Sequence, residues 1–240
     1  MAATLTERLL EKFGKQIVLA SEEVSSKVDV LPLGWPEIDD VLPDHGMPRG
    51  VVEMRSPSVL GGGTAVALAA VRAVHRRDER AWCAWIDPDG TLYSPGVAMA
   101  GVDLNRLAVV RSPRKDTLRI AIKLARSQAF DVIVIDVDWA PGAVSSHSHD
   151  RSGERFRSRD ATLEVFVRKL ALLAAEGGST VLLLTDASVV RASPLPVAMR
   201  LELTRTQHAM DVRVGKERHG RVGLAKTVPM GKKPGLELAG

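Results

Sequence analysis

The chain has 240 residues, enough for one full α/β domain with appendages, and its 45% hydrophobic and 26% charged content is ordinary for a soluble globular protein. A net charge of +4 is compatible with nucleic acid without indicating it, and the single cysteine, Cys83, excludes an intrachain disulfide. Glu7, Arg8, Glu11 and Lys12 argue against a signal peptide, and no apolar run is long enough to span a membrane, so a cytoplasmic protein is expected.

Thr4 to Glu7 has capping-box spacing, and Leu5, Leu9, Leu10 and Phe13 then fall on one helical face. Gly14 ends this helix, Lys15 follows, and Ile17 to Leu19 reads as a short strand. The arm has one greasy face and no local partner, so it either folds back on its own core or docks on another subunit. A polar linker runs to Lys27, residues 28–228 read as the core, and 229–240 read as a Gly/Pro/Lys-rich flexible tail. Within the core, Pro36 opens a short helix lined by Ile38, Val41 and Leu42, and residues 46–50 turn the chain into a strand.

Val51 to Arg55 is that strand, Gly61 to Gly63 break any regular element, and Thr64 opens an Ala/Leu/Val-rich helix. A phosphate-binding loop has this layout, because backbone N–H groups at the turn and helix start cradle an anion. Its side chains are missing. Ser56 stands where the motif wants its first Gly, Pro57 follows, Gly61 holds the second Gly, and Gly62 and Gly63 fall at the Lys and the Ser/Thr. Without an ammonium on the β/γ-phosphates or a hydroxyl for Mg²⁺, tight nucleotide binding and turnover are not expected. The turn is either a vacant or anion-only loop, or a Gly-rich β–α connection that never held phosphate.

Ala81 to Ile86 reads as a buried strand with Cys83 as a core thiol, and Tyr93 to Ala100 reads as a helix. Leu107 to Arg111 is a strand and Thr117 to Arg126 an amphipathic helix. Asp131 to Asp136 is a continuous apolar strand ending in a carboxylate. Trp139 to Arg159 reads as a mobile basic loop, after which Asp160 caps a helix from Ala161 to Ala175. Thr180 to Thr185 is a further buried strand, and 199–206, 209–214 and 222–227 alternate like an antiparallel edge. Strands alternating with helices predict a mainly parallel sheet covered on both faces.

Four landmarks, in order and at similar spacing, give the chain a resemblance to the RecA recombinase core. Residues 11–15 (Glu-Lys-Phe-Gly-Lys) resemble the RecA arm, and 46–53 (Gly-Met-Pro-Arg-Gly-Val-Val-Glu) resemble the run before its phosphate loop. Trp85-Ile86-Asp87-Pro88-Asp89 sits where RecA has the strand ending in its catalytic glutamate, and 124–127 with 131–136 resemble the Walker B helix and strand. The resemblance implies a RecA-like α/β core, a mainly parallel sheet sandwiched by helices, with an N-terminal helix–strand arm and no large C-terminal domain. It also places a degenerate nucleotide loop at Ser56, Pro57, Gly61, Gly62, Gly63 and Thr64, with Asp89 at the catalytic position, Asp136 at the Walker B acid and Thr185-Asp186 in place of an Asn-Gln sensor. No catalytic residue, cofactor or metal is expected.

A RecA-like chain with a decayed ATP site resembles the ImuA family of bacterial mutagenesis cassettes. Length and the intact arm favour it over the SulA-type branch. The resemblance implies a non-catalytic scaffold in damage-induced translesion synthesis. Its partners would be ImuB, a Y-family polymerase homologue, with an error-prone replicative-type polymerase and RecA itself. The alternative is a nucleotide-dependent RecA-type recombinase or a regulator of RecA. By the same resemblance, Leu9, Leu10, Phe13, Gly14, Lys15 and Ile17 form the self-association arm. Val109, Arg111, Leu118, Arg119, Ile122 and Lys123 form its acceptor, on a second copy or for a similar arm from ImuB. Arg151, Arg155, Arg157 and Arg159 lie where RecA has its first DNA loop, which implies weak DNA binding without sequence preference.

Overall fold

Strand β3 lies inside an eight-stranded sheet and is hydrogen-bonded on both sides. A computed structural model describes residues 29–57, 61–137, 153–189 and 194–230, without the side chains of 153–162. In chain order the elements are β1 (Val30–Leu31), α1 (Pro36–Asp39), β2 (Met47–Pro48), β3 (Gly50–Ser56), α2 (Gly63–Arg77), β4 (Cys83–Ile86), α3 (Ser94–Met99) and β5 (Leu107–Val110). They continue with α4 (Thr117–Ser127), β6 (Val132–Asp136), α5 (Gly153–Gly177), β7 (Thr180–Asp186), β8 (Met199–Arg205), β9 (Ala209–Glu217) and β10 (Ala225–Pro229). The sheet order is β10-β9-β8-β3-β7-β6-β4-β5, and β1 pairs with β2 separately.

The strands from β8 through β5 are parallel to their neighbours, and β9 and β10 return antiparallel. The parallel strands read as apolar runs because helices cover both of their faces. Val52 and Met54 face one core with α2, and Val51 faces a second core with α4 and α5. The sheet sandwiched by helices is the architecture the sequence predicts. Among the described residues no helix is long and apolar enough to cross a membrane. Burial pushes the Cys83 thiol up to about 12, so it is inert at neutral pH.

The fold departs from the sequence reading in five places. Helix α5 starts at Gly153, so Arg155, Arg157 and Arg159 stand on a helix rather than a loop, and Asp160 lies inside the helix rather than capping it. Positions two apart on a helix do not share a face, which removes the simple picture of one basic loop. Arg151 and the arm residues Leu9, Leu10, Phe13, Gly14, Lys15 and Ile17 lie outside the described residues, as do 231–240. Strand β8 extends the parallel sheet beside β3, so only β9 and β10 are antiparallel. Gly220 and Gly223, both at positive φ, hold Val222 in a turn and delay β10 to Ala225. Residues 47–48 form a strand where a turn was expected.

The fifth departure concerns the acceptor surface. Leu118 and Ile122 are buried in the second core beside Leu163 and Val167 of α5, so they hold α4 down and present nothing to a partner. Arg119, Lys123, Val109 and Arg111 are exposed.

His75, in the last turn of α2, is buried, with Nε2 3.2 Å from the Arg106 carbonyl and Nδ1 without a hydrogen-bond partner. Burial, then the nearby Arg106 charge, pulls its pKa below the ordinary histidine value. The folded state therefore binds its proton less readily than the unfolded chain. This costs nothing above about pH 6.5 and destabilises the fold as pH falls below that value toward the folded pKa. Melting temperature between pH 7 and 5 is expected to fall less steeply for His75→Gln than for the wild type. Parallel curves for the two proteins would remove His75 from the account.

Candidate functional site

The carboxyl ends of parallel strands are where open α/β sheets place ligands, and here they gather the degenerate loop, both acidic landmarks and the sensor position. Chain leaves β3 through Ser56 and Pro57 and enters α2 through Gly61 and Gly62. Each glycine is required. A Cβ on Gly61 would collide with the Pro57 carbonyl oxygen and Ser56 Oγ. Gly62 is left-handed at φ 81° and caps α2, and a Cβ there would stand 2.5 Å from Met210 Sδ. The first turn of α2 still has N–H groups with no intrahelical acceptor, which is the anion-attracting part of such a loop. The space beside Gly62, where the motif has its lysine, is packed by a methionine of β9.

Asp136 ends β6 and lines a cavity of about 240 Å³ with Thr64, Trp85, Thr91 and Tyr93 among others, so the structure brings Thr64 and Asp136 to one site. Asp89 is elsewhere occupied. Arg114 grips it with two bonds, Nε and Nη2 each donating at 2.7 Å. Asp87 is fully buried and organises the turn after β4, accepting from Thr91 N–H at 2.9 Å and Leu92 N–H at 3.0 Å. Arg111 Nε stands 4.0 Å away.

Thr185 does not face the loop as a sensor would. Its hydroxyl donates to buried Glu53 Oε1 at 3.0 Å, and Glu53 Oε2 accepts from Arg200 Nε at 2.7 Å. Lys216 lies near this pair and donates to the Leu195 carbonyl at 2.7 Å. Burial, then the Arg200 charge, hold it below the usual lysine range. Asp186 Oδ1 caps the next turn through Ser188 N–H at 2.8 Å.

A nucleoside triphosphate with Mg²⁺ does not suit these residues. Position 62 has no ammonium, position 63 has no hydroxyl, and the nearest acid to the catalytic position is paired within the chain. Sequence reasoning found the missing side chains. It missed Met210, Arg114 and Arg200, which reach the site from distant segments and leave no local signal.

The model for the RecA N-terminal domain matches residues 2–170. The chain is 38% identical to Protein RecA of Kineococcus radiotolerans over 129 residues, covering 52% of this chain and 36% of that one. Protein RecA of Lactobacillus delbrueckii subsp. bulgaricus is 33% identical over 134 residues, covering 54% and 39%. Protein RecA of Roseiflexus sp. is 34% identical over 140 residues, covering 57% and 38%. The chain thus spans less than two-fifths of the length of these relatives. The family match covers well over half of the chain, so the chain belongs to the RecA N-terminal domain family.

Proposed function

We propose that this chain is a RecA-like scaffold that works through protein contacts and does not turn over nucleotide. The observation that carries the reading is the phosphate loop. Gly62 and Gly63 replace its lysine and hydroxyl, and a Cβ at position 62 would meet Met210 Sδ. An ammonium at about 4 Å from a phosphate charge is worth about 4 kcal/mol at an effective dielectric of 20, so its loss alone removes most of the affinity. A decayed site on a RecA-like core supports a role like that of ImuA. Its partners would be ImuB, the error-prone replicative-type polymerase and RecA, in the cytoplasm during damage-induced translesion synthesis. Any DNA contact is weak and secondary, through the basic start of α5.

Isothermal titration with Mg-ATP is expected to show affinity weaker than about millimolar, and no phosphate release should be detectable. Micromolar binding would restore the nucleotide-dependent recombinase reading. A pull-down from damage-treated cells, with and without the first twenty residues, should retain an ImuB-like polymerase homologue only with the full-length bait. Retention of RecA alone would favour a RecA regulator instead.

A further inference from the structure

A guanidinium taken out of water needs an acceptor, and the deeply placed arginines of this fold have them. Arg200 has Glu53, Arg106 has Asp103, and Arg55 donates to the carbonyls of Ala187 and Val189. Arg72 of α2 breaks the pattern. It is only 8% exposed, yet among the described residues it makes no ion pair. Its hydrogen bond there runs from Nη1 to the Ala100 carbonyl at 3.4 Å, longer than a well-formed bond. Its other nitrogens are not sealed in as Nε of Arg55 and of Arg205 are, so the free edge of the fork reaches the surface. Burial, then the nearby Arg76 charge, pulls the pKa of Arg72 below the ordinary arginine value.

The surroundings hold this guanidinium in place. Gly101, at φ 80°, carries the chain over the arginine stem, and a Cβ on it would stand 3.2 Å from Arg72 Cδ. Arg76 lies one turn further along the same side of α2, exposed and without an ion pair among the described residues. The two forks are roughly 6 Å apart along the helix. Met99, the residue before Ala100, ends α3 with 75% of its surface exposed. Two unpaired arginines therefore stand beside an apolar side chain at the surface between α2 and α3.

We propose that Arg72 and Arg76 receive two carboxylates of a short acidic segment of a partner protein, with an apolar residue of that segment on Met99. Folding has already taken Arg72 out of water, so a carboxylate meeting it gains a two-bond pair without that desolvation being incurred on binding. Alternate residues of an extended segment share a face and lie roughly 7 Å apart, which matches the two forks. A carboxylate segment suits the site better than a nucleic acid. A phosphate backbone running on along the helix would meet exposed Asp78 and Glu79, and Met99 offers it nothing. The inference rests on the reading that the chain works through protein contacts, and its test is independent of nucleotide.

The probe is a fluorescein-labelled decapeptide with Glu at two alternate positions flanked by Leu, followed by anisotropy against the full chain. Controls are the same peptide with Gln for Glu, a peptide of residues 1–28, inorganic phosphate as competitor, and a single-stranded oligonucleotide. The Glu peptide should bind, and the Gln peptide should bind about tenfold more weakly or worse. Arg72→Met should abolish that preference while leaving the melting temperature unchanged or higher, because it replaces an unpaired buried charge with an apolar chain of similar reach. Arg72→Lys should not rescue it, since an ammonium cannot make the two-bond pair. Arg76→Gln, at an exposed position, should weaken binding several-fold without touching stability. A clear fall in melting temperature for Arg72→Met would make the arginine a structural cap on α3 and overturn the proposal. Equal binding of the Gln peptide, indifference to Arg76→Gln, or stronger binding of the 1–28 peptide, phosphate or the oligonucleotide would overturn it too. If Mg-ATP binds tightly while the Glu peptide behaves as expected, the scaffold reading falls and the arginine site remains.

Discussion

Restoring the loop side chains with Gly62→Lys and Gly63→Thr is expected to give a less stable protein that still does not hydrolyse ATP. At φ 81° a lysine pays for a left-handed backbone, and its Cβ starts 2.5 Å from Met210 Sδ. The backbone costs about 1 to 2 kcal/mol and overpacking about 1 to 3, for a loss of about 2 to 5 kcal/mol in chemical denaturation. Adding Met210→Ala makes room and should return part of that loss. Turnover should stay absent even then, because Arg114 holds Asp89 and Thr185 faces Glu53. Vigorous hydrolysis by the triple variant would mean that only the loop had decayed.

Arg200→Ala is expected to cost about 3 to 5 kcal/mol, because it leaves the carboxylate of Glu53 buried without its arginine. Glu53 is fully buried, and Arg200 is about seven-eighths buried, with 13% of its side chain exposed. Replacing both with leucine should recover much of the loss, since a buried pair and an apolar pair of similar volume are often close in stability. Urea midpoints for the three proteins decide it. A loss under about 1 kcal/mol for Arg200→Ala would show that water or another cation reaches Glu53.

The sheet was legible because its strands carry unmixed apolar runs. Val132 to Ile135 and Val181 to Leu184 have no period to misread, and a carboxylate marks where β6 ends. The start of α5 was not legible. Gly153 to Arg159 is polar and arginine-rich, and the apolar stripe appears only at Leu163. The periodicity of α4 correctly grouped Leu118, Ile122 and Ala125, but that group is the buried stripe, and only its charged flank remains for a partner. In the site, glycines at 62 and 63 announce what is absent. What replaced it could not be read locally, because Met210 lies 148 residues from Gly62 and Arg200 lies 147 from Glu53.

The placement of β3 also has a consequence for synthesis. It is among the first strands made, yet its two partners begin at Thr180 and Met199. At about 5 to 20 residues per second, the ribosome needs roughly 7 to 30 seconds to supply them. During that interval Val51, Val52 and Met54 have no partner strand on either side. Glu53 and Arg55, alternating with them, are charged residues inside a sticky segment, where charge slows self-association of nascent chains. The same glutamate that costs stability when its arginine is removed thus keeps the strand apart from its copies until Arg200 arrives.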